Sequence, residues 1–210
     1  MANIVIFGAG GHAKVVIDIA LLVGHKVIAI FDDNPLSHQQ LCCGIPVIGS
    51  RHDLLAFAQA QQVSYFFVAV GHNQTRLTLA QQWTNAGLTA ISLIHPQAVV
   101  AQSVTIGSGV VIMAGACINA DVVINDQVIV NTNAVVDHDC YLAEAVHIAP
   151  AVALCGGVKV GKHSLIGVGA NVIPCINIGE AVVIGAGAVV VSDITSHVTA
   201  VGIPAKPLSR

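Results

Sequence analysis

"VIMAGACINADVVINDQVIVNTNAVVDHDCYL", residues 111 to 142, repeats itself every six residues: Ile112, Ile118, Ile124, Val130, Val136 and Leu142 stand in step. The same phase holds an aliphatic residue at sixteen successive positions from Val100 to Val190. Four residues after each comes another small or aliphatic one, as in Val110, Ala116, Val122, Val128, Ala134 and Cys140. A helix drifts out of phase with a period of six, and a half-buried strand shows a period of two. A short fixed period reads instead as a solenoid, and hexapeptides specifically as a parallel β-helix. Three hexapeptides make one triangular coil of 18 residues, giving about five coils stacked at roughly the 4.8 Å spacing of neighbouring strands. The recurring aliphatic residue fills the interior of the prism.

This repeat accounts for a composition that is 55% hydrophobic and only 9% charged. No apolar run reaches the roughly 18 to 20 residues of a spanning helix; the nearest, "VVIDIALLVGHKVIAIF", is broken by Asp18, His25 and Lys26. A net charge of −3 gives no basic footprint for nucleic acid or anionic lipid. The start "MANIVIFGAGG" lacks the basic region of a signal peptide, so the expected location is cytoplasmic. The six cysteines show no CxxC spacing and read as reduced core fillers.

The first ninety residues follow another logic. "NIVIFGAGGHAKVVIDIALLVGHKVIAIFDDN" reads as strand, glycine turn, helix, strand and acidic pair. Gly8, Gly10 and Gly11 let the backbone turn sharply and approach a phosphate at the N-terminus of a helix. Asp32 and Asp33 follow about 20 residues on, where a carboxylate accepts hydrogen bonds from ribose hydroxyls or a base. "SYFFVAVGHN" reads as a further buried strand ending in a turn, and "AISLIHPQA" as a last strand running into a linker. The layout is an α/β Rossmann-like half-domain over residues 1–94, followed by the all-β helix over 95–210. A dinucleotide needs roughly twice this length, so one nucleotide fits better than two.

His138 lies two positions beyond Val136, outside the inward slots, so its side chain faces outward. One coil later stands Gly156, expected to leave an open notch over the histidine and a backbone N–H facing it. Acetyl transfer from a thioester to an amine or hydroxyl needs a base, and neutral imidazole titrates near the required pH. A carboxylate on the other ring nitrogen would fix the tautomer, and Asp137 or Asp139 could supply it. Neighbouring strand residues point to opposite sides, so adjacency in sequence does not decide between them.

The hexapeptides, the ending "VGIPAKPL", the glycine turn, "FDD", "VAVGHN" and "HPQA", in that order, resemble the PglD-like and sialic acid O-acetyltransferase family of sugar acyltransferases. The resemblance covers nearly the whole chain. It implies a left-handed β-helix, acetyl-coenzyme A as co-substrate, no metal and a homotrimer. It places the base on His138 and its orienting carboxylate on Asp139, where the family commonly has glutamate. His147, Gly156, Val168, Ala186 and Lys206 are then the cofactor contacts, Gly156 through its backbone and Lys206 as a cation near the phosphates. Gly11, His12, Asp32, Asp33, Gly71 and Asn73 line the nucleotide pocket. His72 stands where the "GNN" form of that turn has asparagine, and His163 reads as a solvated corner residue.

The activity implied is N-acetylation of a nucleotide-linked amino sugar, a UDP-4-amino-4,6-dideoxy sugar, for surface glycan synthesis. The half-domain would hold the nucleotide while the sugar amine reaches His138 in a groove between prisms. O-acetylation of a sugar such as sialic acid, a non-catalytic β-helix scaffold and, from the glycine turn alone, a nicotinamide-binding regulator are the rival readings. No histidine spacing suggests a metal cluster, which disfavours a zinc-bearing β-helix hydratase.

Overall fold

The computed structural model describes residues 1–208. The chain divides into two compact units, Met1–Leu93 and the residues from Ile94 onward. In the first, β1 (Asn3–Phe7), α1 (Gly11–Leu22), β2 (Lys26–Phe31), β3 (Leu41–Cys42), β4 (Ile45–Gly49), α2 (Leu54–Ala60), β5 (Tyr65–Val68), α3 (Asn73–Asn85) and β6 (Thr89–Ala90) succeed one another. The sheet order is β3-β4-β2-β1-β5-β6, parallel throughout except for the β3–β4 hairpin. Ile4, Val5 and Ile6 of the central strand are wholly buried, the continuous apolar run expected of a parallel strand covered on both faces. Trp83 of α3 is buried edge-on against Phe7 and Phe66, with ring centroids 5.3 and 5.5 Å away.

As far as Val190 the second unit consists of two-residue strands separated by four-residue corners, and a three-residue strand, Thr199–Val201, and the short Lys206–Pro207 close it. They stack into ladders of eight, six and five strands, each strand as far as Val190 pairing in parallel with the one 18 residues away, while Thr199–Val201 pairs with Val183–Ile184 at a spacing of 16 and antiparallel with Lys206–Pro207. The result is a parallel β-helix of the left-handed class. Ile112, Ile118, Ile124, Val130, Val136, Leu142, Ile148 and their successors are at most 1% exposed as far as Val172, and Val110, Ala116, Val122, Val128 and Ala134 fill the space between them. Each such aliphatic side chain contributes about 1.5 to 3 kcal/mol on burial.

Two details depart from the sequence reading. "AISLIHPQA" holds two short strands, and the second, Leu93–Ile94, joins the eight-stranded ladder beside Val111–Ile112, where one last strand of the half-domain running into a linker was expected. Ile94 is in phase with Val100, so the coil begins one hexapeptide earlier than the aliphatic series suggests. Ser164, the polar residue in an inward slot, is fully buried; its hydroxyl donates to the Gly179 carbonyl at 2.7 Å and accepts the Val182 N–H at 2.9 Å.

At nearly every corner one residue adopts a left-handed backbone. Asp121, Gln127, Asn133, Asp139, Ala145 and Ala151 have φ between 55° and 61°, six residues apart, and the series continues through Gly157, His163 and Gly169. Such a conformation costs about 1 to 2 kcal/mol for most residues and least for glycine, asparagine and aspartate. The corner conformation, more than the strands, decides which outward side chains meet.

Candidate active site

In the N-terminal unit, the chain leaves β1 through Gly8, whose φ of +109° suits glycine alone. A Cβ there would lie 2.6 Å from the Ala69 carbonyl oxygen. Gly10 caps α1 with no side-chain hydrogen bond, and a Cβ at Gly10, Gly11 or Gly71 would meet nothing within 4 Å. The Gly10, Gly11 and His12 N–H groups have no acceptor among the described residues, an arrangement that favours an anion.

The two aspartates after β2 have protein partners of their own. Asp32 accepts the Ala9 N–H at 2.7 Å and the Asn34 N–H at 2.8 Å, so it pins the glycine turn. Asp33 pairs with the Arg51 guanidinium, which holds its carboxyl below the usual range, and accepts the Arg51 N–H at 3.1 Å. His12, in the first turn of α1, has its pKa lowered to about 4, first by burial and then by the nearby charge of Arg76. Its Nε2 is buried without a hydrogen-bond partner.

Arg76 is the residue that sequence reasoning missed. It is 0% exposed on α3, and burial lowers its pKa to about 9. It donates to the carbonyls of Val70 and Gly71 at 3.0 and 3.2 Å and to Asn73 Oδ1 at 2.9 Å. Gly71 and Asn73 are thereby gathered around one cation. The available signal was a basic side chain in the first turn of a helix, where the macrodipole disfavours it. His72, whose role the sequence left open, caps α3: its Nδ1 accepts the Thr75 N–H at 3.3 Å.

In the β-helix, His138 and Asp139 occupy the corner between the six- and five-stranded ladders. Because Asp139 is left-handed at φ 60°, its carboxylate turns back onto its neighbour, and Oδ2 lies 2.7 Å from His138 Nδ1. Asp137, by contrast, places Oδ2 4.0 Å from Nε2, while its Oδ1 accepts the His138 N–H at 2.8 Å and Asn119 Nδ2–H at 2.7 Å. The geometry thus separates the two aspartates. Asp139 fixes the Nδ1–H tautomer, which leaves the lone pair on Nε2, and the imidazole remains 60% exposed. Its pKa is raised above the ordinary 6.5, chiefly by the hydrogen bond to Asp139 and next by the charge of Asp137.

Gly156 stacks on the histidine one coil later, but the expected open notch is filled by the ring itself. A Cβ on Gly156 would lie 2.5 Å from Cε1 and 2.6 Å from Nε2 of His138. The neighbouring amides of Cys155 and Gly157 donate to Val172 and His138 carbonyls, and no backbone acceptor engages that of Gly156 among the described residues.

The other expected cofactor contacts lie apart from this corner. Val168 and Ala186 stack on the corner between the eight- and six-stranded ladders, with Val168 53% exposed. Lys206 is exposed in the closing strand Lys206–Pro207. His147 projects from the eight-stranded ladder, its Nε2 3.3 Å from Asn131 Nδ2. His163 does sit at a corner, yet it is half-buried rather than solvated. No group of three or more metal-ligating side chains occurs among the described residues.

Residues 3–83 match the family model of the PglD N-terminal domain. A crystal structure of GDP-perosamine N-acetyltransferase from Caulobacter crescentus, with a histidine replaced by alanine and with coenzyme A and GDP-perosamine bound, is 45% identical. It superposes with a TM-score of 0.96 over 100% of this chain and 98% of that one. The acetyltransferase domain of PglB from Neisseria gonorrhoeae is 41% identical, with a TM-score of 0.93 over 99% and 100% of the two chains. The dTDP-4-amino-4,6-dideoxy-D-glucose acyltransferase of Escherichia coli is 46% identical over 55 residues, 26% of this chain and 29% of that protein. The curated relatives are matched over only 20% to 29% of their own length. With both units matched along their length in solved structures, and with the α/β half-domain and hexapeptide coil in the same order, the chain belongs to the PglD-like family of sugar acetyltransferases.

Proposed function

We propose that this chain transfers the acetyl group of acetyl-coenzyme A to the amine of a nucleotide-linked amino sugar, with His138 as general base and Asp139 as its orienting carboxylate. The observation that carries this is the 2.7 Å contact of Asp139 with Nδ1, which leaves an exposed, basic Nε2 free to take a proton. The acceptor amine attacks the thioester carbonyl, its proton passes to Nε2, and the carbon–sulfur bond breaks as the imidazolium returns that proton to the departing thiolate. The Gly156 N–H is the donor assigned to the developing oxyanion. His147, Val168, Ala186 and Lys206 are assigned to the cofactor.

The nucleotide belongs to the N-terminal unit, its phosphates at the open first turn of α1 near Gly11, His12, Gly71 and Asn73. Asp32 acts there by holding the turn and Asp33 by holding Arg51, rather than both as direct ribose ligands. The GDP-perosamine enzyme, at 45% identity over the whole chain, favours a guanosine diphosphate sugar over the uridine one expected from sequence. The working assembly is a homotrimer.

Coenzyme A release, measured with GDP-perosamine and with UDP- and dTDP-linked 4-amino-4,6-dideoxy sugars and sialic acid, tests the substrate. Turnover is expected to be fastest with GDP-perosamine. Faster turnover of a UDP sugar would restore the uridine reading, and acetylation of sialic acid alone would replace the amine acceptor with a hydroxyl.

A further inference from the structure

Asp137 takes no part in the mechanism above, yet it is the more tightly held of the two aspartates. One of its oxygens, Oδ1, is engaged twice, by the Asn119 side chain from the coil below and by the His138 amide. Asn119 is itself approached by the Cys117 thiol at 3.7 Å. With Oδ1 anchored, the other oxygen is presented 4.0 Å from Nε2, the nitrogen that receives the acceptor's proton. These hydrogen bonds, that of Asn119 first, hold the carboxyl below its ordinary range, so it is anionic wherever the imidazole is neutral.

The spacing has a chemical meaning. An atom placed at a hydrogen-bond distance of about 2.8 Å from both groups would see them about 90° apart, within about 20° of the angle between two N–H bonds on one nitrogen, a bend that hydrogen bonds accommodate. An amine has two such hydrogens and can donate one to Nε2 and one to Oδ2. A hydroxyl has one, and when it is given to Nε2 the oxygen lone pairs face an anion.

We propose that Asp137, held in place by Asn119, is the residue that selects an amine acceptor over a hydroxyl. The inference rests on His138 being the base. As the C–N bond forms and the carbonyl π pair moves to oxygen, the nitrogen becomes positive. One of its two protons goes to Nε2, and the other stays on the nitrogen, donated in a hydrogen bond to Asp137 Oδ2, as the amide N–H of the product. The thiolate then leaves with the proton from the imidazolium. The carboxylate faces positive charge only while that charge exists, which makes it a transition-state contact.

The test compares GDP-perosamine with the same nucleotide sugar carrying a hydroxyl in place of the amine, for the wild-type chain, Asp137→Asn, Asn119→Ala and His138→Ala. For Asp137→Asn, kcat/KM with the amine is expected to fall about 10- to 100-fold, the usual worth of a charged hydrogen bond, while the low hydroxyl rate falls less or rises. Asn119→Ala is expected to shift the amine-to-hydroxyl ratio in the same direction by a smaller factor, with acetyl-coenzyme A affinity unchanged in both variants. An equal fall for both acceptors, or no change in the ratio, would overturn the proposal. His138→Ala separates the two claims: if it abolishes turnover while Asp137→Asn leaves the ratio intact, only the role of Asp137 is lost, whereas full activity of His138→Ala removes the base itself. Unaltered circular dichroism and melting of the variants exclude misfolding as the cause.

Discussion

Asp139 joins two roles in one residue, since the left-handed conformation that turns the coil also brings its carboxylate onto His138. Asp139→Asn keeps the conformation, which asparagine tolerates, but removes the charge. Turnover is expected to fall by less than for loss of the base. The acid limb of kcat/KM is expected to move to lower pH, because the main cause of the raised His138 pKa is gone. A limb that stays in place in a pH–rate profile would mean that another group titrates there. Gly156→Ala is expected to displace the imidazole, since its Cβ would overlap the ring, and so to lower kcat more than acetyl-coenzyme A affinity; calorimetry and steady-state rates read the two separately. His138 was legible because a six-residue phase tells outward from inward. Its contact with Asp139 was expected from the family resemblance alone, because the alternation rule for strands, which left Asp137 and Asp139 equally open, does not hold at a corner with positive φ. The filled notch was missed for a related reason: the phase stacks Gly156 over His138 but says nothing of where the ring leans.

Among the elements, the βα corner at Gly8 to His12 carries the nucleotide assignment, and its fixing point is Asp32. Asp32→Ala frees the Ala9 amide and is expected to weaken binding of GDP about 10-fold or more in calorimetry, with Asp33→Ala costing less. Equal losses for the two would favour the direct ribose reading of the sequence. His12 adds a pH dependence. Its pKa falls from 6.5 in the unfolded chain to about 4 in the folded one, so the unfolded state binds more protons between those values. Stability of this unit is therefore expected to decline as pH falls from about 6.5 to about 4, and less steeply in His12→Asn. Trp83, the single tryptophan and buried in this unit, reports the transition by fluorescence in urea. An unchanged slope in the variant would show that His12 is not the group. The glycine turn, strands and helices here were readable from apolar runs and glycines. Arg76 was missed, since its place in the first turn of a helix marks it as unusual for a basic residue while nothing in the sequence shows that it is buried.

At the scale of the whole molecule, an α/β unit precedes a thin prism whose core is built from stacked layers of aliphatic side chains, contributed by all three ladders. Val99 and Val135 on the outer side of the six-stranded ladder, with Val168 and Ile173 close to it, leave apolar surface exposed, as expected of a face that another copy covers. Light scattering at micromolar concentration is expected to give three times the 21.5 kDa of one chain, and an active monomer would contradict the trimer. The coil was legible almost to the residue because each hexapeptide repeats the same physical requirement, whereas Ile94 escaped because its neighbours "HPQA" resemble a linker. Acetyl transfer through His138 is the step on which the activity of the molecule turns. Its most direct test is the release of coenzyme A from acetyl-coenzyme A and GDP-perosamine by the wild-type chain and His138→Ala, side by side. A fall in turnover of about 10²- to 10⁴-fold with coenzyme A affinity and folding intact is the result predicted, and equal turnover by the two proteins would contradict it.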